Sequence, residues 1–129
     1  MHTEMQMLCL SIILGLVQLL LAATMGVLQY GMPWAFGNRE QEMPRLPGVK
    51  GRTVRAFHNF QETFPLFAAT LLLAAVLGHE GGNVTLGAEL YFFGRVAYLV
   101  CYMAGIRYLR TAAWGVSLAG IPLILTTLF

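Results

Sequence analysis

A bundle of four transmembrane helices, an all-α integral membrane fold, is predicted from three features of the sequence. Hydrophobic residues make up 57% of the 129-residue chain and charged residues only 11%, about half the charged share of an ordinary soluble domain. Apolar stretches of the length that crosses a bilayer recur along the chain, separated by short polar connections. The basic residues outside those stretches fall in alternate connections. A soluble fold of this size needs a charged surface to stay dispersed, and this composition does not furnish one. The length suits a single domain, expected over residues 1–129.

The first span is expected at about residues 5–30, a stretch without a charged residue. A cleavable signal peptide would need a basic start; Met1–Glu4 offers only His2 and an acid, so a retained helix is preferred. Gly31–Lys50 holds Pro33, Pro44, Pro47, Gly37 and Gly48 and reads as a loop with little regular structure. The second span is placed at 52–78. Its charge-free part, Thr63–Gly78, rises only about 24 Å, short of a hydrocarbon core of about 30 Å. The helix must therefore extend back through Arg52, Arg55, Asn59 and Glu62. His79–Asn83 forms a hydrophilic turn before a third span at 85–106, apolar except for Glu89 and Arg95. Arg107 and Arg110 bracket the next connection, and a fourth span follows at 110–129. Pro65 and Pro122 fall inside spans, where neighbouring helices can satisfy the freed carbonyls. Cys9 and Cys101 both lie in apolar sequence, which suits packing better than a disulfide framework.

Arg39, Arg45, Lys50, Arg52 and Arg55 belong to the first connection and Arg107 and Arg110 to the third; the termini and the second connection have no Lys or Arg. The excess of Lys and Arg in cytoplasmic connections places both termini outside the cytoplasm. The net charge of +2 is too small to argue for nucleic acid. His2, His58 and His79 show no metal-ligand spacing, so no metal site is expected.

Ionisable residues within the bilayer cost several kcal/mol and mark bundle interiors or sites. Arg55, Asn59 and Glu62 stand at i, i+4 and i+7, one stripe on the second helix, with Arg52 at its edge. Tyr91, Arg95, Tyr98 and Tyr102 make a matching stripe on the third. A buried Glu62–Arg95 pair pinning two helices, with Asn59 and the tyrosines as hydrogen-bonding glue, is the plain structural reading. Against it, Arg52, Arg55, Arg95, Arg107 and Arg110 crowd one membrane face beside a single carboxylate, leaving positive charge for an anionic ligand. Arginine forks take carboxylates, Glu62 would take an ammonium, and tyrosine hydroxyls donate to a developing anion. A small, doubly carboxylated, amine-bearing molecule fits these groups, while lipid could deliver an apolar co-substrate.

The run Arg52-Thr-Val-Arg55-Ala-Phe-His-Asn59-Phe-Gln-Glu62-Thr-Phe-Pro65-Leu-Phe resembles the signature of the MAPEG superfamily, the membrane-associated proteins in eicosanoid and glutathione metabolism that include microsomal glutathione transferases. Arg95, Tyr98 and Tyr102 followed by Arg110 resemble its second conserved block, and the brevity of the chain is similar to that of bacterial members. The resemblance implies a homotrimer in a bacterial inner membrane, with glutathione as co-substrate held between protomers near the cytoplasmic face. It implies a glutathione-binding set of Arg52, Arg55, Asn59, Glu62, Arg95, Tyr98 and Tyr102, with Glu62 on the γ-glutamyl ammonium. Arg110 is the candidate for stabilising the thiolate, and Arg107 is its rival because the spacing after Tyr102 varies. The implied activity is glutathione transfer or peroxide reduction with a lipophilic substrate. The alternatives are a non-catalytic protein of the same fold that binds lipid or thiol, and a structural helix-bundle subunit. Thr63 stands where many eukaryotic members have tyrosine.

Overall fold

The computed structural model describes residues 2–129. Met1, included in the single domain expected over 1–129, lies outside the described residues. Five helices follow in order: α1 (Thr3–Tyr30), α2 (Met32–Phe36), α3 (Gly48–Val76), α4 (Gly82–Ala104) and α5 (Arg107–Leu125), closed by a 3-10 turn at Thr126–Leu128. Among the described residues there is no strand.

Three of the four expected spans are long and apolar enough to cross a membrane: Thr3–Tyr30, Gly82–Ala104 and Arg107–Leu128. Helix α3 has the length, 29 residues, or about 43 Å at about 1.5 Å per residue. Its apolarity is interrupted by Asn59, Gln61 and Glu62 just before the apolar Phe64–Val76 stretch.

The segment from Gly31 to Lys50 is more regular than its proline and glycine content predicts. Helix α2 forms with Pro33 in its first turn, where a missing N–H costs nothing. Helix α3 starts at Gly48, directly after an extended Pro47. The Tyr30 hydroxyl donates to the Pro44 carbonyl, and the Arg39 guanidinium lies 4.4 Å from the Trp34 ring centre, so both ends of the segment are tied back.

Helices α4 and α5 make the most extensive pairing. Only Gly105 and Ile106 separate them. Gly105 takes a left-handed conformation (φ 80°) that ends α4, and the Ile106 N–H donates back to the Cys101 carbonyl at 2.9 Å. The two backbones then run in near contact, because small residues face each other. A Cβ added at Gly94 would lie 2.8 Å from Ser117 N and Cβ, and one at Gly87 would lie 2.6 Å from the Gly120 carbonyl. Around Gly115 of α5, by contrast, there is open space. Gly94→Ala is therefore expected to cost about 1–3 kcal/mol as the helices are forced apart. Gly115→Ala should be neutral within about 0.5 kcal/mol, both measured by unfolding in detergent.

Phe60, Phe67 and Leu71 of α3, Tyr91 of α4, Ile121 and Ile124 of α5, and Met7 and Leu8 of α1 form the core. Phe67 and Tyr91 stack with ring centres 4.0 Å apart. Ile12, Ile13, Leu16 and Leu20 of α1, with Phe93 and Val100 of α4, point outward, as a surface facing lipid does.

The bundle has two chemically different ends. At one, the Glu4 carboxylate accepts from the Gly81 N–H at 2.5 Å and the Thr85 hydroxyl at 2.8 Å, so the start of α1 and the α3–α4 turn meet. At the other, Lys50 donates to Gln29 at 3.0 Å and Arg52 reaches the end of α4. Arg55, Arg107 and Arg110 belong to this basic end.

Candidate functional site

The two polar stripes meet. Arg95 of α4 is 1% exposed and its Nη1 donates to the Asn59 side-chain oxygen on α3 at 2.8 Å. Its guanidinium also lies 4.3 Å from the centre of the Tyr98 ring and 5.7 Å from that of Phe60, which helps to hold a buried cation. Its Nε and Nη2 have no hydrogen-bond partner among the described residues. The Glu62–Arg95 pair of the structural reading does not form; among the described residues the ion pair is His2–Glu80, at 3.2 Å. Asn59, one turn before Glu62 on the same stripe, takes the place opposite Arg95.

Toward the basic end, Asn59, Tyr98, Tyr102, Arg110, Thr111 and Trp114 line a cavity of about 220 Å³. Tyr98 and Tyr102 stand one turn apart on α4 and pack edge to face, with ring centres 5.5 Å apart. Arg110, in the first turn of α5, is 4.6 Å from the Tyr102 ring centre. Arg55 Nε donates to the Tyr102 hydroxyl at 3.3 Å, so that phenol lies between two guanidinium groups. The lining contains a cation, hydroxyls and an amide, but no carboxylate. Such a cavity suits an anion or a group rich in acceptor oxygens.

The other sequence candidates are placed around it or away from it. Arg52 Nε donates to the Met103 carbonyl at 3.2 Å, satisfying a helix-end acceptor. Arg107 is exposed and absent from the cavity lining. Glu62 is exposed too, and its carboxylate has no hydrogen-bond or ion-pair partner among the described residues. The Thr63 hydroxyl is committed inside the bundle, 2.9 Å from the Tyr91 hydroxyl and 3.3 Å from the Phe60 carbonyl. Cys9 and Cys101 are both free thiols.

Thr111 and Trp114 were not singled out by sequence reasoning. Trp114 stands at i+4 from Arg110, the spacing that puts two side chains on one helix face, and that was the signal available. Helix α1 carries a second unread pattern. Glu4, Ser11 and Gln18 recur every seven residues and are all buried, with Ser11 Oγ and Gln18 Oε1 unpartnered among the described residues. Among curated proteins, no sequence matches the chain. The MAPEG family model matches residues 7–129, so nearly the whole chain, both polar stripes included, belongs to the MAPEG family.

Proposed function

We propose that the chain is a membrane-bound glutathione transferase, with peroxidase activity as a second use of the same thiolate. Family membership supports glutathione- or eicosanoid-related activity in general, and the cavity supports the finer reading. The single observation that carries it is the placement of Arg110 in a carboxylate-free cavity beside Tyr98 and Tyr102. A free thiol with a pKa of about 8.5 is mostly protonated at neutral pH, and a neighbouring guanidinium favours the nucleophilic thiolate. The glutathione proton passes to water. The sulfur then forms a C–S bond to a lipophilic electrophile, and any leaving group departs with its electron pair. With a hydroperoxide, sulfur attacks oxygen and the O–O bond breaks to give an alcohol and a sulfenic acid. A second glutathione reduces that acid to the disulfide and water.

In this reading Arg110 rather than Arg107 stabilises the thiolate, and Asn59, Tyr98 and Tyr102 hold the ligand, with Arg55 next to them. Arg52 and Arg95 act on the protein rather than on glutathione. Glu62 takes the ammonium at the mouth of the site, facing a neighbouring protomer. Four spans, α3 included, assemble as a homotrimer. The basic end lies in the cytoplasm and the termini outside, in a bacterial inner membrane.

One experiment tests activity and orientation together. Proteoliposomes of defined sidedness, loaded with a lipophilic electrophile, should consume it only when glutathione is supplied on the side exposing residues 38–47. Turnover from the opposite side contradicts the orientation. Binding without turnover favours the second reading, a non-catalytic binding protein, for which the internally committed Thr63 hydroxyl speaks because it offers no contact to a ligand.

A further inference from the structure

The buried Arg95 does more than join two helices. A guanidinium carries five N–H donors and no acceptor. Its partner at 2.8 Å is the carboxamide of Asn59. Turned the other way, the amide would set its NH2 group against an N–H of a cation, donor against donor. Arg95 is itself held by burial at 1% exposure and by the Tyr98 ring below its guanidinium at 4.3 Å. The orientation of the Asn59 amide is thus dictated by a group that does not line the cavity, although Asn59 does.

Asn59 then has its carbonyl oxygen occupied on the Arg95 side and its NH2 group left to serve the cavity. The remaining lining points to the same polarity. Arg110 and the indole of Trp114 are donors only, and the hydroxyls of Tyr98 and Tyr102 are free to donate, while that of Thr111 already donates to the Arg107 carbonyl. We propose that Arg95 is a positioning residue that fixes the polarity of Asn59, so that the cavity meets an acceptor oxygen of the thiol ligand, a carboxylate or an amide carbonyl, with an N–H. This deepens the glutathione reading and rests on it. It also separates Arg95 from the residues that touch the ligand.

The discriminating variant is Asn59→Asp, which keeps the shape. The introduced carboxylate supplies the counter-charge that Arg95 lacks, so the Arg95 contact is retained or strengthened. Into the cavity, however, it offers an anionic acceptor where an N–H donor stood. Calorimetry with glutathione on the detergent-purified protein, together with the melting temperature, reads both effects. The expected result is a melting temperature at or above that of the wild type, with a dissociation constant raised at least about tenfold. Arg95→Lys still presents only donors to Asn59 and should keep glutathione affinity within about threefold, whereas Arg95→Met, with no donor, should lose about tenfold. Should Arg95→Met fail to fold, Asn59→Asp and Arg95→Lys decide the matter alone. Wild-type affinity in Asn59→Asp overturns the polarity argument, and a clearly lower melting temperature in that variant overturns the Arg95–Asn59 contact. A wild type that binds no glutathione instead removes the proposed function and, with its ligand, this inference.

Discussion

Arg110→Ala should depress turnover by about 10- to 1000-fold, the range for removing one electrostatic stabiliser of a developing or bound anion. Arg110 lies in the first turn of α5, half-buried, with its guanidinium 4.6 Å from the Tyr102 ring centre and facing the cavity. It has no carboxylate partner among the described residues, so its removal leaves no orphaned charge. Folding should therefore change little, and the melting temperature is the control. Glutathione affinity should move less than turnover, because the other donors of the cavity remain. Arg107→Ala is the internal comparison: its side chain is exposed, three residues away in the same turn, and outside the cavity. Steady-state kinetics with saturating glutathione should show the Arg107 variant close to the wild type. A larger loss in Arg107→Ala would move the thiolate to the other arginine.

Glu62→Gln is expected to weaken glutathione binding by about 1.5–3 kcal/mol, the value of a hydrogen bond to a charged group, or roughly 10- to 150-fold in affinity. Glu62 is exposed and unpaired within the described chain, so the substitution removes no contact that holds the bundle together. Any loss is then attributable to the ligand or to a neighbouring protomer. Size-exclusion chromatography of the variant separates these, since a neighbour contact would also change the oligomer. Unchanged affinity in an intact assembly would remove Glu62 from the site.

The long apolar helices were legible because a bilayer demands long apolar runs with few charges, and α1, α4 and α5 have them. The start of α3 was not. Gly48-Val-Lys-Gly reads as loop sequence, yet Pro47 leaves the chain extended and ready to enter a helix. Helix α2 is five residues long, below the length at which periodicity carries information. The two stripes were legible as matching stripes, and Arg95 meets Asn59 across them, but their relative height was not legible. Asn59 and Glu62 differ by about 4.5 Å of rise, and nothing in the sequence says which of them lies level with Arg95. The same limit hid the contact of Gly94 with Ser117, which depends on how two helices are offset. Trp114 escaped because an aromatic residue in an apolar span reads as packing until a cavity opens beside it.

The ionisation of glutathione on the purified protein tests the catalytic reading most directly. A thiolate absorbs in the ultraviolet where a thiol does not, so a difference spectrum taken across pH reports the pKa of the bound ligand. With the wild type, the thiol should titrate well below its free value of about 8.5. In Arg110→Ala the apparent pKa should return toward the free value, and in Arg107→Ala it should stay low. A wild-type spectrum identical to that of free glutathione at every pH would contradict thiolate activation and leave a binding protein in its place.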